Sequence, residues 1–246
     1  MIEQLKIYWH SYRIKTIPIQ YHNYLSYYND YYNNLNPQLQ ETFRIRTFIA
    51  LKFMTFKPVQ FQTVTEEMKV VIASALIQIT FGLDIYILRR FKTIIVVPNT
   101  YSYKQFDALL GHLDRSNDTM ALSWPAVVDG FIIPDDAHNV ALHELAHALQ
   151  QENHDRLFFT DFFDAVNVEN WNQQGVTELW KIRRNKHSYL RDYAGQNMME
   201  LFAVCMECFF EQPQLFSSRV PGLYLIMTKL LKQDPLNPKN PVSTSK

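Results

Sequence analysis

The spacing of apolar residues along the chain predicts a mainly helical protein. In most segments apolar residues recur every three or four positions, which gives a helix one buried face. Together with flanking caps and prolines, this pattern predicts helices over residues 36–56, 65–81, 136–152, 157–186, 197–210 and 221–232. An aromatic stripe at the same spacing, expected to pack on the body, consists of Tyr21, Tyr24, Tyr28, Tyr31 and Leu35.

The same pattern predicts few strands. Residues 93–97 and 119–124 are rich in apolar residues, end at Pro98 and Pro125, and are predicted as short buried strands. Residues 101–117 show little periodicity and are predicted as a loop, and Asp129 and Gly130 as a turn. The fold class is therefore α+β, mainly helical, with a small β-sheet.

Two terminal segments differ from the rest of the chain. Residues 1–34 are rich in tyrosine and are interpreted as a helical appendage. Residues 237–246 are rich in proline, serine and threonine and are predicted to form a flexible tail. No internal repeat is visible.

Composition excludes several classes of protein. Hydrophobic residues make up 47% of the 246 residues, enough for a packed core. Lys+Arg and Asp+Glu both number 24, so the basic excess of a nucleic-acid-binding protein is missing. Residues 70–88, the most apolar stretch, are interrupted by polar residues, so no membrane span is expected.

Two features suggest a cytoplasmic protein. The first twenty residues mix charged with apolar side chains and do not resemble a signal peptide. Cys205 and Cys208, the two cysteines, suit a reducing compartment. Their spacing matches a redox pair, but they lie within an apolar helical pattern and are interpreted as core residues.

The segment His143-Glu144-Leu-Ala-His147 carries the candidate chemistry. On a helix, residues four apart lie on one face, so both imidazoles can reach one zinc ion. Glu144 lies beside that face, suited to take a proton from a metal-bound water rather than to coordinate. The opposite face, expected to pack in the core, carries Leu142, Leu145, Ala146 and Leu149. The alternative is an amphipathic helix with two histidines on its solvent side.

A third zinc ligand is expected, with a fourth position left open. The longer motif with glycine at 150 and histidine at 153 is excluded, because Gln150 and Asn153 stand there. Glu200 and Glu207 lie on one stripe of an apolar helix, where a carboxylate is costly unless paired or metal-bound. However, Asn197 followed by Glu200 is also typical of a capping box. Spacing alone leaves both interpretations of Glu200 open.

The order of these motifs resembles a known family. The matching segments are residues 142–149, Tyr193 with Ala194, residues 200–204 and residues 207–213. They are similar to the Mlc titration factor A family of bacterial glucose-regulated zinc peptidases. The resemblance covers about residues 35–236, interpreted as one zincin-like metallopeptidase domain. Met198 and Met199 stand where the family often has Pro-Ala, which puts the substrate preference in question.

The resemblance implies roles for three residues. Glu200 takes the place of the third zinc ligand. The family's fold is similar to the catalytic domain of anthrax lethal factor, in which a tyrosine seven residues before the ligand glutamate faces the metal. Tyr193 has that place, and its phenol is suited to donate a hydrogen bond to the developing oxyanion; a buried ring is the alternative. Glu207 is expected to orient a histidine ligand.

These observations predict a peptidase with one Zn²⁺ per chain. The resemblance implies aminopeptidase-like action on short peptides, and we expect the strand at 119–124 to border the cleft and pair with the substrate. The resemblance also implies a rival function, in which the protein sequesters a transcriptional repressor and hydrolysis is secondary. A purely structural zinc site is a weaker alternative, because such sites usually have four protein ligands.

Overall fold

The computed structural model describes residues 17–60, 62–99, 101–103, 106–154, 162–184 and 189–242. Helices dominate this part of the chain, as predicted. They are α1 (Ile19–Tyr28), α2 (Asp30–Asn34), α3 (Pro37–Phe53), α4 (Glu66–Thr80), α5 (Trp124–Ile132), α6 (Val140–His154), α7 (Ala165–Arg183), α8 (Met198–Glu211), α9 (Pro213–Arg219) and α10 (Pro221–Leu231), with a 3₁₀ turn at Asp192–Gly195.

A mixed four-stranded sheet lies beside α6. The strands are β1 (Thr55–Pro58), β2 (Thr93–Val97), β3 (Tyr101–Tyr103), β4 (Phe106–Leu109), β5 (Gly111–Asp114) and β6 (Thr119–Ser123). The sheet order is β1-β2-β6-β5, and β3 pairs with β4 in a separate antiparallel hairpin. β1, β2 and β6 run parallel, whereas β5 runs antiparallel to β6 with Gly111 opposite Leu122. β5 therefore forms one edge of the sheet.

Three sequence predictions about these elements were wrong. The range 101–117, predicted as a loop, contains the strands β3, β4 and β5, and the helix predicted to reach residue 56 ends at Phe53, before β1. The turn predicted at residues 129–130 lies inside α5. Gly130 has a packing reason to be in that helix, since a Cβ there would lie 2.9 Å from the Cα of Asn139.

Helix α4 separates two apolar clusters. One of its faces packs in the main core with the sheet, α6 and α8, and the other packs against α1, α2 and α3. Tyr21 and Leu35 from the aromatic stripe are buried in the second cluster, which confirms that the stripe packs on the body. Cys205 and Cys208 are free and buried in the main core, as predicted.

The chain after α10 folds back onto the body. Asp234 donates from its backbone to the Pro241 carbonyl at 2.7 Å, and Asn36 donates to the Lys239 carbonyl at 3.0 Å. These bonds attach the segment predicted as a flexible tail to the start of α3, as far as residue 242. The helix predicted over 157–186 is seen only as α7, which begins at Ala165 because Asp164 caps it; residues 155–161 and 185–188 lie outside the described residues.

In the part of the chain that the structure describes, none of the helices combines the length and the apolar composition that crossing a bilayer requires.

Candidate functional site

Helix α6 carries the histidine motif through the middle of the molecule. It begins at Val140, four residues later than predicted, because Asn139 caps it: the Asn139 Oδ1 accepts a hydrogen bond from the Leu142 N–H at 3.1 Å. The predicted packing residues of α6 are buried as expected. At its other end Glu152 accepts hydrogen bonds from three backbone N–H groups, those of residues 89, 90 and 91. Both ends of α6 are therefore fixed.

His143, His147 and Glu200 converge on one point. Their potential ligand atoms all lie within 4.8 Å of one another. The Nε2 atoms of the two histidines lie 3.1 and 3.2 Å from the same carboxylate oxygen, Oε2 of Glu200. The Nδ1 of His147 is buried and has no hydrogen-bond partner among the described residues. Two imidazole nitrogens and one carboxylate oxygen form a donor set that suits zinc, with a position left for water or substrate.

The start of α8 explains how Glu200 reaches the histidines. Asn197 caps the helix, with its Oδ1 accepting from the N–H groups of Met199 and Glu200 at 2.8 and 3.1 Å. The Glu200 side chain bonds to the histidines instead of completing a capping box. Cap and candidate ligand are thus separate residues, and the carboxylate lies in the first helical turn, where the helix dipole favours negative charge.

Glu207 and Arg191 support His143 from behind. The Glu207 Oε2 lies 3.1 Å from the His143 Nδ1, and its Oε1 accepts from the Asn139 N–H at 3.0 Å. Arg191 pairs with Glu207 Oε2 at 2.5 Å and also donates to the Ala137 carbonyl. This network turns the His143 Nε2 towards Glu200. Arg191 was not among the predicted site residues, and its only signal in the sequence is that the buried carboxylate of Glu207 needs a partner.

Glu144 is buried on the sheet side of the cluster, next to β5. A Cβ on Gly111 would lie 2.9 Å from the Glu144 Oε1 and 2.7 Å from its Cγ. Only glycine at position 111 therefore leaves the glutamate its present place. The sequence carried no signal for this contact, because it depends on a strand that was predicted as a loop.

Tyr193 lies at the mouth of the site, on the 3₁₀ turn. Its side chain is 45% exposed, so it is not the buried ring of the alternative interpretation. The ring centroid of Tyr193 lies 5.8 Å from that of His143 and 5.9 Å from the guanidinium carbon of Arg191. The phenol therefore borders the same space as the histidines.

The charges of the cluster shift the pKa values of its members. Burial acts to raise the pKa of Glu200, but hydrogen bonds from His143 and His147 outweigh burial and hold this pKa well below its ordinary range. Burial likewise works against protonation of His143, yet its bonds to Glu200 and Glu207 raise its pKa to about 10. Burial raises the pKa of Glu144. Burial, followed by the charge of Glu200, raises the pKa of Tyr193 to about 12, so the phenol keeps its proton at neutral pH.

An open cavity of about 590 Å³ gives access to the cluster. One wall is β5 with the turn that follows it, and the other contains Tyr193 and the start of α8. The prediction that the strand at 119–124 borders the cleft was wrong, since β6 lies between β2 and β5. The edge strand at the cavity is β5, and among the described strands it pairs with β6.

Comparison with known proteins agrees with this geometry. The family model of the glucose-regulated metallopeptidase M90 matches residues 7–232. An uncharacterised protein of Synechocystis is 23% identical over 222 residues, covering 84% of this chain and 81% of its own length. Mlc titration factor A of Escherichia coli and of Shigella flexneri is 29% identical over 123 residues, covering 48% of this chain. That match spans 46% of the length of Mlc titration factor A, less than half of the relative.

Proposed function

Because the chain belongs to the family of glucose-regulated M90 metallopeptidases, we propose that it is a zinc-dependent peptidase with a zincin-like catalytic domain. The observation that carries the proposal is the convergence of His143, His147 and Glu200 on one point. These residues would hold one zinc ion per chain. With three protein ligands, the site fits a catalytic centre better than a closed structural one.

The surrounding residues supply the remaining parts of a hydrolytic mechanism. A zinc ion at such a site supplies a Lewis acid that activates water and polarises a carbonyl group. Glu144 takes the proton of the attacking water and later passes it to the leaving amine. Tyr193 donates its phenolic hydrogen to the carbonyl oxygen as negative charge develops there. Glu207, held by Arg191, keeps the His143 ring in its orientation.

The edge strand suggests how a substrate lies in the cavity. An extended peptide would pair with β5 and run past Glu144, which β5 contacts at Gly111. Backbone pairing of this kind suits short peptides of varied sequence. We propose aminopeptidase-like cleavage as the activity.

The sharpest test of the catalytic assignment is Glu144→Gln, which keeps the shape of the side chain and removes the base. The variant should bind about one zinc per chain, as the wild type does, while kcat/KM falls roughly 10²- to 10⁴-fold. Metal analysis and a fluorogenic peptide panel measure the two quantities. Tyr193→Phe should lose less, mainly in kcat. Wild-type activity in Glu144→Gln would contradict the proposed role of this residue.

A second candidate function comes from the relative's name, which points to binding of the repressor Mlc by that protein. By analogy, this chain would bind a transcriptional repressor in the cytoplasm, with hydrolysis secondary. Binding of a repressor by both wild type and Glu144→Gln, with no hydrolysis of any peptide by the wild type, would favour this function over the peptidase.

A further inference from the structure

The turn between β5 and β6, residues 114–119, forms part of the cavity rim and is closed by its own side chains. The Asp114 Oδ1 accepts hydrogen bonds from the Ser116 N–H at 2.9 Å and the Ser116 hydroxyl at 2.6 Å. The Asp114 Oδ2 accepts from the Asn117 side-chain amide at 2.8 Å. The carboxylate of Asp114 is thus used inside the turn.

A second set of bonds holds the turn from outside. The Arg90 Nε pairs with Asp118 at 2.5 Å, and the Arg90 Nη2 donates to the backbone carbonyl of Arg115 at 2.9 Å. Arg90 is also the middle residue of the segment whose backbone N–H groups bind Glu152 of α6. The backbone of residue 115 is therefore held in a fixed position relative to the helix that carries the histidines.

The side chain of Arg115 points into the cavity, whereas the acidic side chains of the turn, Asp114 and Asp118, bond to residues of the turn and to Arg90. It lines the cavity together with Glu144, His147 and Glu200, and it is the only lysine or arginine among the described residues of that lining. Its Nη2 faces the thioether sulfur of Met199, a weak acceptor. No carboxylate in the described ranges lies within ion-pair distance of Arg115. With respect to the described residues, most of the Arg115 donors are therefore available to a ligand in the cavity.

We propose that Arg115 binds a carboxylate of the substrate, so that the enzyme prefers acidic peptides. This inference rests on the proposed peptidase function and names its substrate class. A guanidinium binds a carboxylate through two parallel hydrogen bonds, a geometry that a neutral amide does not match. The same chemistry is offered by a glutamate or aspartate side chain and by a free peptide C-terminus.

The position of Arg115 limits where that carboxylate lies. Gly111 contacts the general base Glu144, and Arg115 is the first residue after β5, so it lies at most roughly 13 Å from Gly111. The arginine side chain reaches back towards Met199, which adjoins Glu200. A substrate paired with β5 would therefore place its carboxylate within about three residues of the scissile bond.

Binding and hydrolysis are measured separately to test this. In the first arm, zinc-loaded Glu144→Gln protein is titrated by calorimetry with pairs of peptides that have amidated C-termini. The members of a pair differ by Glu against Gln at one of the first four positions, which aminopeptidase-like cleavage places within about three residues of the scissile bond. A second pair compares a free with an amidated C-terminus on a neutral peptide. At one position, the Glu peptide should bind roughly tenfold more tightly than its Gln partner, or the peptide with a free C-terminus should bind roughly tenfold more tightly than the amidated one. A tenfold difference is the effect of one charge-assisted hydrogen bond.

Two further variants assign the effect to Arg115. In Glu144→Gln/Arg115→Gln the two members of each pair should bind equally, and in Glu144→Gln/Arg115→Glu a lysine peptide should be preferred to its glutamine partner. Arg219→Gln makes the same change of charge at an exposed arginine outside this cavity and should keep the acidic preference. The second arm measures kcat/KM of wild type and Arg115→Gln on the same peptides.

The two arms distinguish a failure of the proposed role of Arg115 from a failure of the proposed peptidase function. Equal binding of every pair, or an acidic preference that persists in Arg115→Gln, overturns the role of Arg115. Hydrolysis of all peptides with equal kcat/KM also overturns that role, but it supports the proposed peptidase function. A preference in binding without hydrolysis by the wild type overturns the peptidase and leaves Arg115 as a carboxylate-binding residue.

Discussion

Three glutamates of the site differ in their partners, and this difference separates their proposed roles. Glu200 bonds to both histidines, Glu207 bonds to His143, Arg191 and a backbone N–H, and Glu144 is buried beside β5. When their environments differ, carboxyl groups in one site have different pKa values. One of them can then serve as an anionic ligand while another accepts a proton. Identical side chains are therefore proposed to act as ligand, orienting group and base.

The first prediction separates ligand from cap at α8. Glu200→Gln should weaken zinc binding by more than the 10- to 100-fold typical of losing an orienting partner, since a ligand oxygen is replaced. Asn197→Ala should instead cost about 1 kcal/mol of the free energy of unfolding, because it removes the cap. Competition with a chelator and denaturant titration measure the two effects. Zinc affinity unchanged in Glu200→Gln would contradict the ligand assignment.

At the residue scale, the motif was sufficient to predict His143, Glu144 and His147 as neighbours, because helical spacing alone brings them together. Glu200 remained open between two roles until the resemblance was considered. Arg191 and Gly111 could not be found, since each matters through a contact with a residue distant in sequence. Local spacing carries no information about such contacts.

At the scale of elements, three helix starts followed from caps, and the buried strands β2 and β6 followed from the apolar pattern, whereas β1 and β5 did not. Asn36, Thr65 and Asn197 all cap the helices predicted after them. β1 and β5 have four residues each and become strands through their neighbours in the sheet. Pro125 was interpreted as the stop of a strand, but proline is equally suited to the first turn of a helix, and it is the second residue of α5, after Trp124.

The second prediction concerns the contact between β5 and α6. Gly111→Ala adds a methyl group where the Glu144 side chain lies, so Glu144 must move. Peptidase kcat/KM should fall at least about tenfold while zinc content stays near one per chain, because the added atom displaces the base and not the ligands. Gly222→Ala is the matched control, since its new methyl group meets only the side chain of Gln174. Full activity in Gly111→Ala would show that Glu144 does not need this position.

At the scale of the whole molecule, buried carboxylates link stability to pH. Glu211, at the end of α8, accepts a hydrogen bond from the His138 N–H at 3.2 Å, while its Oε1 is buried without a partner among the described residues. Burial raises the pKa of Glu211 from 4.5 to about 8, and the charges of Glu207 and Asp136 add to this. The folded protein thus holds a proton that the unfolded chain releases at lower pH.

The third prediction follows from the sign of that shift. The contribution of Glu211 to stability is complete below about pH 4.5 and is lost as the pH rises through about 8, because the unfolded state binds fewer protons over this interval. Glu211→Gln, which is neutral throughout, should show a smaller loss of unfolding free energy between pH 5 and 8 than the wild type. Denaturant titrations across this interval measure the slope. Exposed Glu169→Gln is the control, and a slope in Glu211→Gln equal to that of wild type would contradict the assignment.

The proposed ligands come from two helices far apart in sequence, and this separation governs when the site exists. His143 and Glu200 are 57 positions apart, so their donor atoms meet only after α6 and α8 have packed together. A metal held there binds the folded chain and not the unfolded one, which stabilises the native state by mass action. If the metal is zinc, as proposed, the population of folded molecules would depend on the concentration of free zinc. Under zinc scarcity, a larger fraction of the chains would be exposed to cellular proteases and chaperones.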